Sequence, residues 1–158
     1  MLDLALMAAC EQSPDDAHHL GDEEFVVVLG SGHRLLAADR VELRELEGEP
    51  WVRFDRDSAL DGVLLNVLRD NELTPATVAR VSQTATAVRW AAHGLGVTLV
   101  PASAVPHGHE HLVRRVFPAV SQPVIAVVRP GPGPAETALL ELLREETWHD
   151  SALFSPVS

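Results

Sequence analysis

Two short stretches of the sequence gather groups able to hold a small anion. Arg53-Phe54-Asp55-Arg56-Asp57-Ser58 offers an aromatic face, two guanidinium groups and a helix start. Ser82-Gln83-Thr84-Ala85-Thr86 offers hydroxyls, an amide and a second helix start. Helix N-termini favour anions because their leading N–H groups have no partner within the helix and the peptide dipoles add there. Two such starts opening on one sheet edge suit a small carboxylate. The plainer reading is that these residues only cap their helices, and Asp55 and Asp57 weigh against a strongly anionic ligand.

Other candidate chemistry is weaker. In His107-Gly108-His109-Glu110-His111, the three imidazoles would share one face of an extended segment. That spacing matches no helical ligand pattern such as H-E-x-x-H, and Pro106 and Gly108 point to a solvated loop, so no metal is expected. Gly131-Pro132-Gly133-Pro134-Ala135-Glu136 follows a strand and opens a helix, as a dinucleotide fingerprint would. Glu136, however, stands where the third glycine belongs and would face a pyrophosphate, so no cofactor is expected either. Ser31, in Leu29-Gly30-Ser31-Gly32-His33, lacks the G-x-S-x-G spacing of a nucleophile elbow. A small hydrolase stays open as an alternative, without residues that spacing alone can assign. Cys10, the single cysteine, excludes an internal disulfide and reads as a small buried or half-buried thiol.

The elements that must position the two loops run from Trp51 to Pro101. Trp51 to Phe54 predicts a strand, and Asp57 or Ser58 suits the N-cap of the next helix. Leu60, Val63, Leu64, Val67 and Leu68 give that helix one apolar face, and Leu73-Thr74-Pro75 ends it. Ala79 to Val81 is a short strand. Ser82 or Thr84 can cap a second helix to about His93, stopped by Gly94 and Gly96. Val97 to Val100 is a third buried strand closed by Pro101. Connections this short imply parallel strands with right-handed crossovers.

On the way in, Leu2 to Met7 reads as a buried strand, Glu11 to Glu23 as loop and Phe25 to Leu29 as a buried strand. His33 to Arg40 and Leu43 to Leu46 read as short turns. On the way out, Ala102 to Val105 is a helical turn, Leu112 to Phe117 a short strand and Pro123 to Arg129 a buried strand. A final helix from Ala135 to about Trp148 places Leu139, Leu142 and Leu143 on one face.

Composition narrows the function classes. With 158 residues, 46% of them hydrophobic and 22% charged, the chain falls in the soluble globular class, as one domain or two small lobes. Acidic residues number 23 against 12 basic ones, for a net charge of -11. Every cation is an arginine and they form no stripe, so this chain by itself is unsuited to a phosphate backbone. No apolar run has membrane-spanning length, and Met1 to Cys10 lacks the basic start of a signal peptide. The expectation is a cytoplasmic chain without membrane contact.

In its order of segments the sequence resembles the effector-binding domain of LysR-type transcriptional regulators. Phe25-Val26-Val27-Val28-Leu29 followed by Gly32-His33-Arg34-Leu35-Leu36-Ala37 is similar to the family's strand and His-Pro-Leu-Ala segment, with Arg34 in place of the proline. Asp3-Leu4-Ala5-Leu6 matches the strand that precedes this region, and Leu43 to Pro50 with Trp51-Val52 resembles the linker into the second lobe. The most specific part is Val88-Arg89-Trp90-Ala91-Ala92-His93-Gly94-Leu95-Gly96-Val97-Thr98-Leu99-Val100-Pro101, similar to the family's alanines, glycine-x-glycine and strand ending in proline. The resemblance spans roughly residues 2 to 148.

It implies an α/β, type II periplasmic-binding-protein-like fold, with one nearly complete βαβαβ lobe and a partial second one. Residues 30–122 would form the second effector lobe. Residues 1–29 and 123–150 would form part of the first, with Phe25–Leu29 and Val124–Arg129 as crossover strands. A small-molecule effector would lie in an interlobe cleft. Carried over by position, its contacts in this sequence are Arg53, Phe54, Asp55, Gln83, Thr84, Val100 and Pro101. The helix-turn-helix that precedes this domain in the family has no counterpart here, so DNA would be reached only through a head outside these residues. A partial first lobe should leave apolar surface on Leu4, Leu6, Val26, Val28 and the last helix, to be covered in a homo-oligomer. The alternative in another class is a free-standing solute-binding protein of the same fold.

Overall fold

The computed structural model describes residues 4–8, 14 and 17–145. The expectations for Leu2, Asp3, Cys10 and the last turns up to Trp148 lie outside these residues. The chain divides into two compact units, Met1–Glu24 with Ser121–Ser158, and Phe25–Val120.

In the first unit, β1 (Leu4–Ala8) and the leading half of β2 (His18–Val28) both pair antiparallel with β8 (Ser121–Val128). Residues 18 to 23, expected to be loop, are therefore strand. His18-His19-Leu20-Gly21-Asp22-Glu23 carries no apolar alternation to announce it. The ladder comes from a partner about a hundred residues away, with the register slipping between His19 and Gly21. The last helix, α3 (Pro134–Glu145), buries no side chain, and Leu139 and Leu142 are exposed. Leu6 is exposed as well, and Leu4 is half-buried. Val26 and Val28, expected to be bare, are fully buried, because their half of β2 belongs to the second unit and has strands on both edges.

In the second unit, that half of β2 pairs antiparallel with β6 (Thr98–Pro101) on one edge and with β7 (Val113–Phe117) on the other. β3 (Arg40–Glu42), which the sequence does not announce, adds parallel to β7. The central unit then runs β4 (Pro50–Phe54), α1 (Ala59–Asp70), β5 (Ala76–Val81) and α2 (Thr84–Ala92). β4 and β5 are parallel, as expected of so short a crossover. The third strand departs from a simple parallel ladder. Val97 alone bridges Trp51 in parallel, and the next four residues pair antiparallel with β2.

Local sequence explains both helices. Ser58, in extended conformation, accepts the Leu60 N–H on its Oγ at 3.2 Å and starts α1. Leu64, Val67 and Leu68 bury the face that meets Phe25, Val27, Leu29, Trp51 and Leu99 in the core. Each helix ends by the same closure. At α2 the Gly94 N–H donates to Ala91 and the Leu95 N–H to Trp90, with Gly94 at φ +82. At α1 the Glu72 N–H donates to Arg69 and the Leu73 N–H to Leu68, with Glu72 at φ +57. The same motif thus uses glycine once and a strained glutamate once.

Candidate functional site

The β4 to α1 loop and the β5 to α2 loop meet at one edge. Phe54 pairs with Val81, and the Asp55 N–H donates to the Val81 carbonyl at 3.0 Å. Gln83 and Thr84 follow Val81 directly after Ser82. Continuing from Val97 in the direction of β4, Val100 and Pro101 reach the same end of the strands as Phe54 and Asp55.

Exposure separates these residues. Gln83 is exposed, and Asp55, Thr84 and Pro101 are half-buried. The side chains of Phe54 and Val100 are packed out of reach of solvent, so the aromatic face offered by the sequence is turned into the core. Arg53 is also buried. Its Nε donates to Asp61 Oδ1 at 3.0 Å and its Nη2 to Asp61 Oδ2 at 2.9 Å. Asp61 is 1% exposed in the first turn of α1. A second arginine, Arg80 on β5, donates through Nη1 to Asp61 Oδ2 at 3.2 Å and to the Phe54 carbonyl at 2.6 Å. Two guanidinium groups against one carboxylate leave this cluster positively charged. Of the two guanidinium groups read from the first loop, Arg53 is a brace within the fold, while Arg56 is exposed.

The two helix starts are unlike. α1 has the Ser58 cap and an acid in its first turn. α2 begins at Gln83, whose side chain makes no capping bond, and has no acid in its first turn. The expected caps, Ser82 and Thr84, do not serve. The leading N–H groups of α2 are therefore left without a side-chain cap beside the half-buried Thr84, an arrangement that can receive an anion.

The histidine-rich segment is a turn rather than an extended strand, with Gly108 at φ +91 and a short 3-10 turn at Glu110–Leu112. His107 is fully exposed, with Nδ1 3.4 Å from Glu110 Oε1. Backbone hydrogen bonding at Glu110 itself, helped by the Gly108 N–H at 2.7 Å, holds the Glu110 carboxyl below its usual range.

Ser31, His33 and Glu49 line one cavity, about 200 Å³ in volume, in the second unit. They do not form a catalytic relay. His33 Nδ1 accepts the Leu35 N–H at 3.2 Å, and Nε2 faces Glu49 Oε1 at 3.2 Å. Both ring nitrogens are occupied, so neither can take a proton from Ser31.

A family model described as the LysR substrate binding domain matches residues 1–148. Over 107 residues the chain is 36% identical to a probable hydrogen peroxide-inducible genes activator of Mycobacterium avium, covering 66% of this chain and 34% of that protein. Over 94 residues it is 31% identical to the uncharacterized HTH-type transcriptional regulator YnfL of Escherichia coli K12, covering 57% of this chain and 32% of that protein. The chain thus spans about a third of the length of these relatives. Among solved structures, the effector-binding domain of QuiR with shikimate aligns with a TM-score of 0.73 at 20% identity, over 89% of this chain and 69% of that one. The BenM effector-binding domain with benzoate gives 0.74 at 21%, over 90% and 68%. A hydrogen-peroxide-bound OxyR mutant of Corynebacterium glutamicum gives 0.74 at 26%, over 90% and 48%. The fold is accordingly α/β, of the type II periplasmic-binding-protein-like class.

Proposed function

The chain belongs to the LysR substrate-binding domain family, and on that premise we propose that it senses a small carboxylate-bearing metabolite at the β4–β5 edge of its second unit. Ligand sensing is the role of this domain in the family; the ligand and its seat are the proposal. The observation that carries it is the uncapped start of α2 at Gln83 and Thr84, set against the Ser58-capped start of α1 beside it. The positive Arg53–Asp61–Arg80 cluster, at the end of the same two strands, supports an anion there.

Asp55, Gln83, Thr84 and Pro101 are the residues that offer side-chain surface to the ligand. Arg53 positions, and Phe54 and Val100 shape the edge from behind. QuiR and BenM are each bound to a carboxylate, shikimate and benzoate. The Mycobacterium avium relative is named for hydrogen peroxide instead. An uncapped helix start favours an anion over a neutral peroxide, so a carboxylate is the better reading.

In this reading the second unit is the second effector lobe, and the domain senses without catalysing, in keeping with the occupied nitrogens of His33. It works in the cytoplasm within a homo-oligomeric regulator, and it reaches DNA through a helix-turn-helix outside these residues. Among the described residues no helix is long and apolar enough to cross a membrane. Calorimetric titration of the chain with benzoate and shikimate, repeated on Gln83→Ala and Thr84→Ala, tests the site. Affinity should fall in both variants; equal affinity in all three proteins would remove the assignment.

A further inference from the structure

The cavity at the opposite end of β4 is independent of the anion site, and its chemistry has the opposite sign. It is lined by Gly30, Ser31, His33, Glu49, Pro50 and Gly96, with Gly32, Gly94 and Val97 completing it. Its walls are backbones in close approach. A Cβ on Gly30 would lie 2.9 Å from Gly94 Cα, and one on Gly96 would lie 2.7 Å from the Pro50 carbonyl oxygen. Neither neighbour can give way as a flexible side chain would, so the cavity is built into the backbone.

The only carboxylate on its lining is Glu49, whose side chain is one-fifth exposed. Within the cavity its Oε1 lies 3.2 Å from His33 Nε2, while His33 Nδ1 accepts the Leu35 N–H at 3.2 Å. Arg34 Nη2 reaches the same oxygen at 3.3 Å, but Arg34 does not line the cavity. Its side chain is 60% exposed, and it also donates to the Glu45 carbonyl. Gly94 brings the carboxyl end of α2 to the wall, where the Ala92 carbonyl accepts the Ser31 N–H at 3.2 Å.

We infer that this cavity is a second ligand site, which takes a small organic ammonium ion whose N–H groups donate to Glu49. The volume admits a short amine, and the Ser31 hydroxyl at the rim adds a further acceptor. The ammonium group displaces the exposed Arg34 from Glu49, leaving the His33 bond in place. Both this site and its occupant are separate from the carboxylate edge near Gln83, so the two can fail independently.

The test is a titration of the isotope-labelled full chain with butylammonium chloride, following the amide signals of Gly32, Gly94 and Gly96, with sodium chloride and the neutral 1-butanol as controls. Saturating shifts confined to these glycines and their neighbours are expected with the amine alone. Glu49→Gln, which keeps the shape and removes the charge, should weaken binding by about tenfold or more. Ser31→Trp, at the exposed rim, should abolish it by closing the mouth while leaving Glu49 intact, and so decides the matter if Glu49→Gln does not fold. Shifts that never saturate, equal shifts with 1-butanol, or unchanged affinity in a folded variant would each overturn the site.

Discussion

Arg53 and Asp61 stand eight residues apart and meet through two parallel bonds of 3.0 and 2.9 Å, both side chains shielded from water. This ties the end of β4 to the first turn of α1 and so fixes the loop between them. Removing one partner of such a pair costs more than the pair contributes, because the other charge stays buried alone. Asp61→Asn leaves two arginines without their counter-charge and should destabilise the chain by about 3–5 kcal/mol. Replacing both partners by apolar residues, Arg53→Met with Asp61→Leu, should cost clearly less than Asp61→Asn alone. Urea unfolding of the two variants checks this, and the reverse order would show that the pair is not buried as described.

The unlike helix starts give a prediction in which stability and binding move in opposite directions. Gln83→Asp puts a capping carboxylate on α2, where the side chain now makes no capping bond. An acid at a helix start stabilises through the hydrogen bond and the dipole, here by about 0.5–1 kcal/mol. The same carboxylate would occupy the place proposed for the ligand anion. The melting temperature should rise while benzoate and shikimate binding is lost. A variant that is stabilised yet binds as before would move the anion away from α2.

Much of this arrangement is legible in the sequence, for reasons that differ by element. α1 and its cap are local: Ser58 stands before an apolar stripe at helical spacing, and nothing distant is needed to form it. The leading half of β2 is not legible, because His18 to Glu23 is polar and becomes strand only through β8. Arg53 is misread for the same reason. Its partner is on another element, and a loop arginine reads as free. One signal was present: Asp61, Leu64 and Leu68 follow helical spacing, so an acid sits on the buried face of α1 and requires a cation. The cavity at Glu49 left no such trace. It arises where the backbones near Gly30, Pro50 and Gly96 approach, and each glycine by itself reads only as a turn.

The two helix ends supply the last prediction. Glu72 and Gly94 occupy the same place in the same closure, each in the left-handed region, at φ +57 and +82. A residue with a Cβ pays steric energy there that glycine does not. Glu72 is tolerated because the closure brings Leu73 onto Leu68, and both are buried. Glu72→Gly should therefore stabilise the chain by about 0.5–1 kcal/mol, although glycine in a helix or strand interior has the opposite effect. Gly94→Ala should destabilise it by about 1 kcal/mol. Nothing lies within 4 Å of the Cβ that this change adds, so its cost is conformational and not a clash. Denaturant midpoints should shift in opposite directions at constant slope. If both substitutions destabilise, the side chain of Glu72 contributes more than its backbone strain costs.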